Sequence, residues 1–139
     1  MNVGFWLRAA ALWVGMLALA LAAGGLREWL YVPLLGRPWA EALTTAKLIA
    51  LWVPIVYGFL VWQGAPIRAD LLHGLGALWA LLALGAHAAV TALAGGAPGT
   101  PGVALRTYWP GALAWVLAAA LYATPLLVGW LLRVAQRRA

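Results

Sequence analysis

The chain has 139 residues, of which 66% are hydrophobic and 9% are charged, whereas water-soluble domains carry about 25% charged residues. This composition excludes a soluble globular fold, because so much apolar surface needs lipid as its solvent. The formal net charge is +6 and cysteine is absent, which excludes disulfides, thiolate metal sites and cysteine nucleophiles. The basic residues form no face with interleaved aromatic side chains, so we expect no nucleic-acid partner.

Four apolar runs predict four membrane-spanning helices. In chain order they cover about residues 5–24, 43–62, 71–93 and 112–132. Each has close to the ~20 apolar residues that a helix needs to cross ~30 Å of hydrocarbon. Because the backbone must satisfy its own hydrogen bonds in lipid, these runs predict an all-α fold. We therefore expect residues 1–139 to form a single transmembrane domain, an integral membrane four-helix bundle with antiparallel up-down spans.

The segments between the spans carry most of the polar and helix-breaking residues. Residues 25–41 contain two prolines and are apolar for a loop, which suits a short interfacial helix or a contact surface for another subunit. Residues 63–70 predict a tight turn, and the Gly/Pro-rich residues 94–111 break any helix.

The distribution of Lys and Arg predicts the orientation of the chain. One side receives five basic residues and the other receives four: Arg8, Arg68, Arg133, Arg137 and Arg138 against Arg27, Arg37, Lys47 and Arg106. The positive-inside rule then places both termini in the cytoplasm of a bacterial inner membrane. Tryptophans near the span ends predict an aromatic belt at each interface, with Trp6, Trp62 and Trp130 in one and Trp29, Trp39 and Trp109 in the other.

A polar cluster is predicted at one membrane face. It comprises Arg27 and Glu28 after the first span, Glu41 before the second, and Lys47 about one turn inside it. A charge inside a span is costly unless it snorkels or is paired. The cluster could bind a lipid headgroup or a partner loop. Alternatively, these are ordinary interfacial charges that define the helix ends.

His73 and His87 are the two candidate cofactor ligands. They lie 14 residues apart on the third span, so both rings point to roughly the same side at a separation of ~21 Å. This spacing suits axial ligation of haem, and the pattern of Ala83 and His87 resembles helices that bind bacteriochlorophyll-type pigments. The alternative is that His73 is hydrated near Asp70 and that His87 hydrogen-bonds to another helix.

Several kinds of catalytic site are excluded by the residues that are missing. No acidic residue lies deep in a span, where proton-coupled transporters carry one. The chain has no serine, and Asp70 is its only aspartate. We expect neither an independent enzyme nor an ion-coupled transporter, and no metal site.

The stretch AAGGLREWLYVPLLGRPWAEALTT resembles the first loop of an uncharacterised family of small four-span bacterial inner-membrane proteins. That family reads Gly-x-x-Arg-Glu, then a short apolar run, Pro, two residues and Gly, which here is matched by Gly24 or Gly25, Arg27, Glu28, Pro33 and Gly36. Its last helix ends in Pro and then a basic residue, as Pro125 and Arg133 do here. The family often has an acidic residue in its third span, where this chain has His87 and its small neighbours. The resemblance implies the fold and the topology without a mechanism.

These observations lead to three functional hypotheses. The first is a non-catalytic structural or accessory subunit that packs against a larger membrane complex, with membrane lipids and either other membrane subunits or a second copy as its partners. The second is a haem- or bacteriochlorophyll-binding protein that uses His73 or His87. The third is a small transporter or lipid-binding protein that works through the polar cluster.

Overall fold

The structure is a computed structural model that describes residues 3–64, 68–93 and 111–136. Its elements in chain order are α1 (Val3–Leu26), a π-helical segment (Arg27–Tyr31), α2 (Val32–Leu35), α3 (Arg37–Trp62), α4 (Ala69–Leu93) and α5 (Gly111–Gln136). The fold is all-α, and its long apolar helices pack as a four-helix bundle, as predicted. The predicted connector between the third and fourth spans lies largely outside the described residues, as do Arg106, Trp109, Arg137 and Arg138.

Four helical stretches are long and apolar enough to cross a membrane. The first comprises α1, the π-helical segment and α2, and runs without interruption for 33 residues from Val3 to Leu35. Most of the segment predicted to connect the first two spans is therefore helical. Gly36, with φ of +76°, separates α2 from α3 because glycine adopts this left-handed conformation without steric cost.

Contacts between the ends of helices define an up-down arrangement. Arg8, near the start of α1, donates a hydrogen bond to Gln63 just after α3, so these two helices are antiparallel. Trp79 in α4 donates its indole N–H to the carbonyl of Ala9 at 2.9 Å and ties α4 to α1.

The bundle interior is filled by aromatic and aliphatic side chains, among which Trp52 and Trp79 are the largest. Phe59 connects Trp79 to α1, because its ring centroid lies 6.4 Å from that of Trp79 and 5.6 Å from that of Phe5. Large apolar side chains also cover the outside, where Leu7, Leu81 and Trp115 are 65–69% exposed. An outer surface of this kind is suited to lipid, and the chain is a small multi-pass membrane protein.

Helices α4 and α5 are in close contact at two glycines. A Cβ atom added to Gly76 would lie 2.5 Å from the backbone oxygen of Tyr122. Gly129 of α5 similarly faces the side chain of Leu72 near the start of α4, which makes these two helices antiparallel. Small residues permit this backbone approach between membrane helices.

We expect Gly76→Ala to lower the free energy of unfolding by about 1–3 kcal/mol, because the added methyl group overpacks against backbone that cannot rotate away. Gly85→Ala is the matched control in the same helix, since apart from the adjacent backbone of that helix no atom of the described residues lies within 4 Å of its Cβ position. The measurement is unfolding of both variants in detergent. Equal stabilities for the two variants would contradict the close packing of α4 on α5.

Candidate functional site

The two histidines lie at different levels of α4 and in different surroundings. His73 is exposed, and its Nδ1 lies 2.7 Å from the hydroxyl oxygen of Tyr122 in α5. His87 is partly buried, and its carbonyl accepts a hydrogen bond from Thr91 at 2.9 Å. Four cavities between described residues have linings that include neither histidine. The proposal of haem or pigment ligation stays a prediction.

No cluster of three or more metal-ligating side chains occurs within residues 3–64, 68–93 and 111–136.

Three members of the predicted polar cluster join one ion-pair network at the end of the bundle. Arg27 donates to Glu28 through Nε at 3.1 Å and Nη2 at 2.9 Å. Arg37 contacts the same carboxylate through both terminal nitrogens, at 3.2 and 3.0 Å, in the bidentate geometry that arginine favours. Glu41 completes the network at 3.8 Å from Arg37. Arg37 is thus the member that the sequence reasoning left out.

Arg27 is almost completely buried, with a side chain only 2% exposed. Burying a guanidinium in a low-dielectric interior is costly unless it is paired and hydrogen-bonded. The Glu28 carboxylate, which is 18% exposed, provides charge compensation. Arg27 also lines a small internal cavity of ≈ 20 Å³ with Thr44 and Thr45.

The π-helical segment determines where these side chains point. It begins at Arg27 and ends at Tyr31, and such segments are rare and often occur at functional sites. Its first residue turns into the bundle, whereas its last residue faces Lys47 of α3. Adjacent positions on a regular helix do not face each other, yet here Arg27 folds back onto Glu28.

Lys47, the fourth predicted member, lies apart from this network. Its Nζ donates to the Tyr31 hydroxyl at 3.0 Å and lies 4.7 Å from the centroid of the same ring. No carboxylate of the described residues lies within 4.0 Å of this ammonium group. Lys47 is therefore a cation without a charged partner in that part of the chain.

Lys47 stands at the polar end of an open groove between α1 and α3, which we call the Lys47 groove. Its volume is ≈ 280 Å³. Its walls are mostly apolar and come from Leu19, Ala22, Ala23 and Leu26 on one side and Leu48 and Leu51 on the other, with Tyr31, Thr44 and Lys47 as its polar residues. The groove thus has apolar walls and a cation at one end. An anionic amphiphile needs both, for its apolar chain and for its charged group.

Thr44, which is 5% exposed, also lines the Lys47 groove, and its hydroxyl oxygen is not used in a hydrogen bond among the described residues. By contrast, Thr91 and Thr124 donate to the carbonyl groups four residues earlier, the usual solution for threonine within a helix.

Sequence reasoning missed Tyr31, Thr44 and the groove itself. The spacing in the sequence could have indicated Thr44, because Lys47 follows it by three residues and residues three apart lie on one helix face. No sequence pattern indicated Tyr31, because it is 16 residues from Lys47 and the π-helical segment is what brings the two side chains together.

Comparison of the chain with protein-family models, with curated proteins and with solved structures gives no match. The family resemblance of the first loop therefore stays a prediction, and the site has to be interpreted from its own geometry.

We expect Glu28→Gln to lower the free energy of unfolding by about 3–5 kcal/mol, because the buried Arg27 loses its compensating carboxylate. The control is Arg68→Gln, which removes an ion pair with Asp70 whose two side chains are 71% and 67% exposed. Water screens such exposed pairs, so the control should unfold like the unmodified protein. Unfolding in detergent measures both effects, and a Glu28→Gln protein as stable as the control would refute the role of the ion-pair network.

Proposed function

We propose that this protein is a non-catalytic lipid-binding membrane protein that holds an anionic phospholipid in the Lys47 groove. The observation that carries the proposal is the Lys47 ammonium group, which has no carboxylate partner among the described residues and heads an apolar groove open to the side of the bundle. The phosphate of a phospholipid is the anion that reaches such a place from within the bilayer.

Charge is the main reason why an anion would bind there. An unpaired lysine within a membrane helix costs about 2.5–3.5 kcal/mol at the helix centre. Lys47 is about 12 Å along the helix axis from Trp39, so its ammonium group has to reach toward the surface. Because helical side chains lean toward the N-terminus, Lys47 leans toward the Arg37 end of α3 and toward Tyr31. A phosphate there would neutralise the charge.

The polar groups around Lys47 supply further hydrogen bonds. An ammonium group has three donors, and Tyr31 accepts from one of them. The unpartnered hydroxyl of Thr44 lines the same groove. Satisfying a buried polar atom recovers about 1–3 kcal/mol, so a ligand that reaches Thr44 gains an interaction that the empty groove lacks.

We expect the acyl chain of the lipid to fit the groove but to add little to the binding affinity. Lipid tails are as apolar as the leucines of the groove, so moving a chain from the bilayer into it gives little hydrophobic gain. The headgroup therefore selects the ligand, and anionic lipids should be preferred over zwitterionic ones.

We place the chain in a bacterial inner membrane with both termini in the cytoplasm. The exposed Arg68 and Arg133 lie at the same end of the bundle as Arg8, which is the end that this orientation assigns to the cytoplasm. The Lys47 groove then opens to the outer leaflet.

We expect Lys47→Gln to weaken phosphatidylglycerol binding roughly fivefold, because one lysine near an anionic lipid surface contributes about 1 kcal/mol. Native mass spectrometry of the detergent-extracted protein, titrated with phosphatidylglycerol or phosphatidylcholine, measures the effect. Arg133→Gln is the control, since it removes an equal charge from an exposed position away from the groove. Equal affinity of the unmodified protein for the two lipids would refute the proposal.

Thr44→Val separates binding from stability. The substitution keeps the shape and removes the unpartnered hydroxyl, so the lipid-free protein should be no less stable. Affinity for phosphatidylglycerol should nevertheless fall in the same titration. Unchanged affinity would remove Thr44 from the site.

The accessory-subunit role is a second candidate. Four small residues form an exposed stripe along α1: Ala11, Gly15, Ala18 and Ala22. Such a stripe lets another membrane helix approach closely. The same surface could therefore pack against a subunit of a larger complex.

If the accessory role is correct, gentle extraction at native expression level should give a larger complex on a native gel, with a partner identified by mass spectrometry. Gly15→Leu should release the chain because it places bulk on the stripe. Gly85→Leu should not, although its Cβ position is equally open. Migration of the unmodified chain alone would count against the accessory role and leave lipid binding as the better explanation.

A further inference from the structure

A second groove lies at the opposite end of the same helix pair, and we call it the Arg8 groove. It has a volume of ≈ 410 Å³ and opens between α1 and α3. Ala11 and Leu12 form one wall, Ile55, Gly58 and Phe59 form the other, and Trp62 and Arg8 lie at its end. Because α1 and α3 are antiparallel, this groove and the Lys47 groove face opposite leaflets.

Arg8 is the cation of this groove, as Lys47 is of the other. Its Nη1 donates to Gln63 at 3.1 Å, and its guanidinium carbon lies 5.6 Å from the centroid of the Trp62 ring. Within the described ranges, no carboxylate lies within 4.0 Å of Arg8. A guanidinium has five N–H donors in a planar fork that matches a phosphate, so capacity remains after the bond to Gln63.

The amide of Gln63, which contacts Arg8, has an unused hydrogen-bond donor beside the groove. Gln63 accepts from Arg8 through Oε1, while its Nε2 is buried without a hydrogen-bond partner in the described structure. Trp62, which is 73% exposed, stands at the same level with an amphipathic ring of the kind that anchors at membrane interfaces. The end of the groove therefore lies at headgroup depth.

The apolar part of the groove has room for a lipid chain. Apart from the adjacent backbone of α3, no atom of the described residues lies within 4 Å of the Cβ position of Gly58, and Ala11 on the other wall is also small. The next small residue of the exposed α1 stripe, Gly15, is equally open.

From these observations we infer that the Arg8 groove is a second binding site for an anionic phospholipid, in the leaflet opposite to the Lys47 groove. The pair α1–α3 thus holds one lipid at each end. The inference shares its ligand class with the proposed function, but it rests on different residues and stands or falls separately.

The test uses the full chain in nanodiscs with phosphatidylglycerol that carries a photoactivatable group on its acyl chain, and with the matching phosphatidylcholine. Mass spectrometry of peptides maps the adducts after irradiation. We expect adducts at residues 8–12 and 55–62 with phosphatidylglycerol, and roughly fivefold fewer with phosphatidylcholine, the ratio expected for one basic side chain.

Two variants test the two halves of the site. Arg8→Gln should reduce the phosphatidylglycerol adducts at these residues to the phosphatidylcholine level. Gly58→Leu should reduce them by filling the groove without touching Arg8. In both variants the adducts near Lys47 should persist, which also shows that the bundle is folded.

Equal labelling of the Arg8 groove by both lipids, or labelling that survives Arg8→Gln, would overturn the inference. If phosphatidylglycerol labels the Arg8 groove more than phosphatidylcholine does, but the two lipids label the Lys47 groove equally, the second site is upheld and the proposed function is refuted. The reverse pattern would uphold the proposed function alone.

Discussion

The Glu28 carboxylate holds together the end of the bundle on which the candidate site depends. It accepts hydrogen bonds from the buried Arg27 and from the more exposed Arg37. One guanidinium comes from the start of the π-helical segment and the other from the first turn of α3, so the carboxylate ties these two elements across Gly36. Tyr31 lies at the far end of the same five-residue segment, and it can meet Lys47 only while the segment is held in place.

Two of the interfaces between the helices differ in how closely they pack. Between α4 and α5, glycine lets backbone approach backbone at Gly76. Between α1 and α3, small residues on α1 meet α3 without filling the space beside it, and the two grooves result. Small residues thus allow close packing where they face the backbone of another helix, and they leave an opening where they face lipid.

Beside the grooves, Thr44 Oγ1 and Gln63 Nε2 lack hydrogen-bond partners among the described residues, as does Trp52 Nε1 in the core of the bundle. Thr91 and Thr124 bond to their own helices, whereas Thr44 does not. Glu28 and Glu41 compensate Arg27 and Arg37, whereas Lys47 and Arg8 contact only neutral partners among the described residues. In a medium without water an unmet polar group is expensive, so we propose that anions from the membrane bind beside Thr44, Lys47 and Arg8.

The sequence by itself determined the all-α class, the four membrane-spanning helices and their up-down order, because hydrophobic length and charge placement are local properties that lipid imposes directly. It also indicated that Arg27, Glu28, Glu41 and Lys47 lie at one membrane face. Only the tertiary structure decided that Arg37 completes the ion-pair network, that Lys47 instead pairs with Tyr31, and that grooves open beside Lys47 and Arg8. The physical reason is that a π-helical turn and the spacing between two helices depend on contacts between residues distant in the chain, which hydrophobic periodicity does not encode.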